Sequence, residues 1–126
     1  MKRCRGFTMI ELLMVIVIIG ILVTVLIPRY SSSRDKAYVA AMVSDLRNLA
    51  TAEESYYYDY ATYAPTVEQL PAFNSTAGVS VSINGANQGG WSGIASSANS
   101  ERQCFLFVGN AAPVGPATQE GKVACT

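Results

Sequence analysis

Histidine is absent from this chain. Its absence removes the commonest general base and the commonest metal ligand at neutral pH. Charge is also sparse: Asp, Glu, Lys and Arg make up 14% of the residues, nine of each sign, and they cancel. No basic patch is present, so nucleic-acid binding is not expected. The glycines at 85, 89, 90 and 93 are followed by no lysine and open no helix, which excludes a phosphate cradle. No nucleophile–base pair is visible, so the expectation is no catalysis, no cofactor and no metal. Only one tryptophan and three cysteines are present.

What the chain has in excess lies at its start. Lys2, Arg3 and Arg5 precede Gly6, and an apolar run from Phe7 to Ile27 follows, with Glu11 as its single charge. A helix of roughly 20 apolar residues crosses a bilayer. An ordinary secretory signal has an apolar region of about 7–15 residues with a small-x-small cleavage site behind it. This run is longer, and Thr24 to Pro28 offers no such site. A plain signal anchor explains the basic end through the positive-inside rule. It does not explain Glu11, because a carboxylate within an insertion segment costs roughly 2.5–3.5 kcal/mol. Its place at the beginning of the run points to an amine as its partner.

The string Gly6-Phe7-Thr8-Met9-Ile10-Glu11-Leu12-Leu13 resembles the class III signal of type IV prepilins and pseudopilins. The similarity covers about Lys2 to Arg34; beyond that it is architectural. The resemblance implies cleavage between Gly6 and Phe7 by a membrane peptidase, then N-methylation of Phe7. It implies an assembly role for Glu11 and helix flexibility at Gly20 and Pro28. Residues 1–6 are then a leader, 7–28 a membrane and filament-core helix, 29–58 its amphipathic half, and 59–126 a head. The implied protein is a structural subunit of a type IV pilus, polymerising with copies of itself into an extracellular filament. Its precursor sits in the inner membrane with the amino end inside. Implied partners are the prepilin peptidase, the assembly platform and its ATPase. One alternative is a pseudopilin of a type II secretion or DNA-uptake system. The other, from a different class, is a monomeric anchored binding module.

Loss of the leader removes Cys4 and leaves six basic and nine acidic side chains. Cys104 and Cys125 remain as an even pair in a small exported head, which argues for one disulfide. A metal pair or two free thiols are the alternatives. Some pseudopilins bind calcium near the C-terminus; here that stretch holds Glu120 and no aspartate. The missing ligand set and the tail disulfide lean toward a pilus.

The helical pattern continues past Pro28. Tyr38, Met42, Leu46, Leu49, Ala52 and Tyr56 recur at a mean spacing of 3.6. The reading is one helix from Phe7 to about Tyr58, bent or locally opened at Pro28. Five tyrosines (Tyr56, Tyr57, Tyr58, Tyr60, Tyr63) then form a packing cluster with wet edges. Glu53, Glu54 and Asp59 read as solvated charges. From Val79 the period becomes two. Expected strands are Val79–Ile83, Trp91–Ala98, Gln103–Val108 and Gly121–Cys125, with a turn at Asn84-Gly85, or a longer loop reaching Gly89-Gly90, and another at 99–102. The fold class is α+β: a long N-terminal helix, apolar then amphipathic, packed on an antiparallel sheet of about four strands.

Overall fold

The computed structural model describes residues 6–126. Residues 1–5, with the basic side chains and Cys4 of the expected leader, lie outside the described residues. The elements are α1 (Met9–Tyr60), a 3₁₀ turn η1 (Val67–Gln69), and strands β1 (Ser80–Asn87), β2 (Gly90–Ser97), β3 (Ser100–Gly109) and β4 (Ala124–Cys125). The architecture is α+β, with a four-stranded antiparallel sheet in the order β1-β2-β3-β4. Two compact units divide the chain, Met1–Arg34 and Asp35–Thr126.

In the first unit α1 is apolar all round and long enough to cross a membrane. Helix is continuous through Gly20 and Pro28. Proline has no N–H for the carbonyl four residues back, here that of Thr24. The Thr24 hydroxyl meanwhile donates to the Ile21 carbonyl at 2.7 Å.

In the second unit α1 buries Met42, Leu46, Leu49 and Ala52 against Trp91, Ala95, Cys104 and Leu106 of the sheet. Ala64, Leu70, Phe73 and Val79 of the intervening loop join this cluster. Side chains alternate across a strand, so Phe105 and Phe107 of β3 point the other way. They pack with Ala117 in a second cluster. β3 is therefore covered on both faces, which is why its sequence is a continuous apolar run rather than an alternating one. Gly93 is the close-approach point: a Cβ there would lie 2.9 Å from the Trp91 ring and 3.0 Å from Leu49.

The boundaries differ from the sequence expectation in several places. α1 starts at Met9, not Phe7, because Thr8 caps it (below). It ends at Tyr60, where Ala61 takes a left-handed conformation with φ 55° and donates its N–H to the Tyr57 carbonyl at 2.8 Å. Asn84-Gly85 is not a turn. Both lie inside β1, where a bulge between Ile83 and Gly85 absorbs the extra residue. The reversal comes at Gln88-Gly89, because the Asn87 carboxamide oxygen accepts the N–H groups of Gly89 and Gly90 at 2.7 and 3.0 Å. The next turn is Ala98-Asn99, and Ser100 to Arg102 already belong to β3. The last strand is two residues long, paired Cys104 with Cys125 and Phe105 with Ala124.

Cys104 and Cys125 are joined in a disulfide. It closes a loop of 21 residues' separation, for which the chain-entropy model gives about 3.4 kcal/mol. Reduction is expected to lower the melting temperature of the head by about 10 °C or more, read by thermal unfolding with and without reductant. An unchanged transition would remove the bridge's role as a staple. Ala61 carries a Cβ in a conformation that glycine adopts without steric cost. Ala61→Gly is expected to stabilise the head by about 0.5–1 kcal/mol, measured by the same melts.

Candidate functional site: the helix start and its apolar face

The start of α1 is built by a reciprocal pair of side chains. Thr8 donates its backbone N–H to the Glu11 Oε2 at 2.8 Å and its hydroxyl to the same oxygen at 2.7 Å. The Glu11 N–H returns a bond to the Thr8 hydroxyl oxygen at 3.3 Å. This is a capping box: Thr8 precedes the helix and Glu11 is its third residue, so donors left over at the helix end are satisfied mutually. Thr8 is the residue the sequence reading missed. Its signal was present, because a threonine three residues ahead of a glutamate at the head of an apolar run marks a helix start.

The capping box sits directly after the Gly6-Phe7 bond. Among the described residues nothing lies within 4 Å of where a Gly6 side chain would begin, and Phe7 is 71% exposed. The bond is thus open on a segment that is not yet helical. Both Thr8 bonds fall on one oxygen of Glu11; the other accepts no hydrogen bond among the described residues. The acid nearest the expected new amine therefore has a free lone-pair edge.

Behind this start the apolar side chains from Met9 to Ile27 are all exposed in the single chain. A soluble monomer rarely presents so large an apolar surface without a partner. Gly20 lies within this face and Pro28 at its end, and both are exposed. The face ends in polar groups, with the Arg34 guanidinium 5.9 Å from the Tyr30 ring centre.

Tyrosines in the last turns of α1, with Tyr63 just beyond it, pack in pairs. Tyr56 stacks on Tyr60 at 4.4 Å, and Tyr57 meets Tyr63 at 4.7 Å. The Tyr56 hydroxyl donates to Gln69 and the Tyr63 hydroxyl to Glu54, at 3.3 and 3.1 Å. Burial, then the bond to Glu54, pushes the Tyr63 phenol up to about 12. Tyr58 is 90% exposed.

One carboxylate departs from expectation. Glu53 is fully buried, not solvated, and its Oε2 accepts the Ala64 N–H at 2.8 Å. Asp45 is buried as well and accepts the N–H and hydroxyl of Thr76 at 2.7 and 2.8 Å. Both fall on the helix stripe, three residues after Met42 and four after Leu49, so the period that identified the core also placed them. Residue type alone hid this. Among the described residues no cluster of three or more metal-binding side chains occurs.

Removing the cap is expected to fray only the helix start. In full-length chain in detergent, Thr8→Ala should move the backbone NMR shifts of Met9 to Leu12 toward coil and leave Trp91 unmoved. Helical shifts retained at Met9 to Glu11 would deny the capping box its role.

Comparison with known proteins bears on this end of the chain. The family model of the prokaryotic N-terminal methylation motif matches residues 1–27. A type II secretion system core protein G of Klebsiella pneumoniae is 34% identical over 91 residues, covering 72% of this chain and 65% of that protein. Its counterpart in Pseudomonas aeruginosa is 37% identical over 71 residues, 56% of this chain and 50% of that one. A fimbrial protein of Pseudomonas aeruginosa is 46% identical over 55 residues, 44% of this chain and 36% of its own length. The chain thus spans between about a third and two thirds of these relatives. It carries a prepilin-type N-terminus and has a pilin-like fold.

Proposed function

We propose that this chain is a structural subunit of a type IV pilus or a closely related filament, assembled through α1. The observation that carries the reading is the open Gly6-Phe7 bond, followed at once by a capped helix whose apolar face has no cover in its own chain. Residues 1–6 are the leader, 7–28 the membrane and filament-core segment, 29–58 the amphipathic half of the helix, and 59–126 the head. The precursor lies in the inner membrane with its basic end in the cytoplasm, consistent with the charge bias of Lys2, Arg3 and Arg5.

The prepilin peptidase cuts after Gly6, and the new Phe7 amine is methylated. Glu11 keeps its hold on Thr8 through Oε2, and Oε1 faces the Phe7 ammonium of a neighbouring copy. A buried charge left without its partner is strongly penalised, so the pair selects axial register more than it adds net cohesion. Cohesion comes from packing of the apolar faces, since lipid already shields them from water. Gly20 and Pro28 give the helix the flexibility to adjust on leaving the bilayer. The platform protein and its ATPase supply the work of assembly. The finished filament stands on the cell surface.

A second reading is a pseudopilin of a type II secretion or DNA-uptake system. The similarity to core protein G, over more of the chain than the fimbrial match, supports it. The head disulfide and the lack of an acidic C-terminal ligand set favour the pilus. The two readings share every step up to assembly.

Mass spectrometry of sheared filaments should give a chain that begins at methylated Phe7. Glu11→Ala should leave cleavage intact and abolish filament yield in electron micrographs. Filaments formed at wild-type levels by that variant would refute the register argument. Long surface fibres at native expression favour the pilus; their absence, with loss of protein secretion on deletion, favours the pseudopilus.

A further inference from the structure

The buried Glu53 is not used by the filament reading. It lies within the α1 face that packs on the sheet, with no solvent exposure. Its Oε2 holds the Ala64 N–H, and its Oε1 has no hydrogen-bond partner among the described residues. A charged oxygen out of water and without a partner is expensive.

Among the described residues Glu53 forms no ion pair. The sequence has no Lys or Arg between Asn48 and Ser100, a span that covers the last turns of α1, the loop, β1 and β2. Glu54, the next residue on the helix, is itself acidic. From the loop comes Tyr63, whose hydroxyl donates to Glu54 Oε1 and whose ring meets Tyr57. From β2 comes Trp91, fully buried in the same cluster, with an indole N–H that also has no partner. β3 offers Cys104 and Leu106 to that face, and its Arg102 is paired with Asp35 at 3.6 Å.

The loop that follows α1 is held to the helix at both ends by carboxylates. Asp45 takes two donors from Thr76 near its far end, and Glu53 takes one from Ala64 near its start. The two anchors differ in one respect. Asp45 uses both oxygens, Oδ1 and Oδ2, whereas Glu53 uses one.

We propose that Glu53 is a proton-operated latch on this loop: neutral, it holds the loop start against α1, and on releasing its proton to solvent it loosens that end while Asp45 keeps the Thr76 end docked. The proposal is independent of filament assembly. It makes the rigidity of the loop start, including the tyrosine cluster, a function of external pH.

Burial raises the Glu53 carboxyl above its ordinary 4.5; the Ala64 N–H opposes this and the charge on Glu54 adds to it. The unfolded or opened form therefore ionises first. The penalty is absent below the ordinary value, grows as pH rises through the interval, and is complete above the folded value.

The test uses the full-length chain in detergent, with Glu53→Gln as the neutral isostere. Amide hydrogen exchange is followed at Ala64 and Thr76 from about pH 4 to about pH 8. The wild-type to Glu53→Gln exchange ratio at Ala64 is expected to rise by up to about tenfold per pH unit across the interval, and at Thr76 to stay constant. A pH-independent ratio at Ala64, or Thr76 moving in step with it, would overturn the latch. Carbonyl NMR of ¹³C-glutamate-labelled wild type, which needs no variant, should show Glu53 titrating above 4.5. A midpoint at or below that value would also overturn it.

Discussion

The apolar surface of α1 between Met9 and Ile27 is left uncovered by the described residues, and the rest of the N-terminal half makes sense as a response to that. In water each Å² of such surface costs about 25 cal/mol, so covering it is favourable. A bilayer covers the surface fully, and so does a ring of identical helices. Because lipid tails are as apolar as leucine, exchanging one cover for the other changes little in transfer free energy. Packing detail and the few polar groups then decide between them. On the proposed assembly, that gives a single carboxylate, Glu11, leverage out of proportion to its size.

Three carboxylates on one helix show how position sets role. Glu11 is tied to Thr8 by one oxygen and is open at the other. Asp45 is buried with both oxygens occupied by Thr76 and serves as a strut. Glu53 is buried with one oxygen occupied and carries a standing cost. The residues are chemically alike; what differs is how many donors each environment supplies. A fully satisfied buried carboxylate fixes geometry, and a half-satisfied one makes it conditional on protonation.

Much of the fold was legible because hydrophobic spacing is a strong signal. The 3.6 period through Met42, Leu46, Leu49 and Ala52 placed the core face of the helix, and the apolar run from Cys104 marked the central strand. The turn at Asn84-Gly85 was misread because dipeptide preference is local, while register is set by the whole hairpin. The Asn87 side chain caps a turn three residues later, and Trp91 must face α1; a bulge reconciles the two. At the helix start, Phe7 looked like the first helical residue because periodicity cannot distinguish a cap from a first turn. Glu53 was misread for a related reason. Charge argues for solvent, and only its phase on the stripe argued otherwise.

The disulfide and the second core cluster explain why so short a tail stays on the sheet. β4 contributes only two residues to the ladder, too few to hold by backbone hydrogen bonds alone. Cys125 fixes one of them covalently to β3, and Ala124 lies against the aromatic face of Phe105 and Phe107. Between them the tail folds over that face, with the Glu120 carboxylate accepting the Gly109 N–H at 2.8 Å and Gly121 bonding Phe107. Each anchor is weak without the others: the bridge shortens the search, the aromatic face supplies apolar burial, and the polar contacts set the path. A head of this size buries a modest share of its surface, so such a staple adds a sizeable part of its stability. The tail also joins the two cores: Cys104 and Cys125 lie with the helix-facing cluster around Trp91, while Ala124 beside them lies with Phe105 and Phe107, so loss of the bridge bears on both faces of β3 at once.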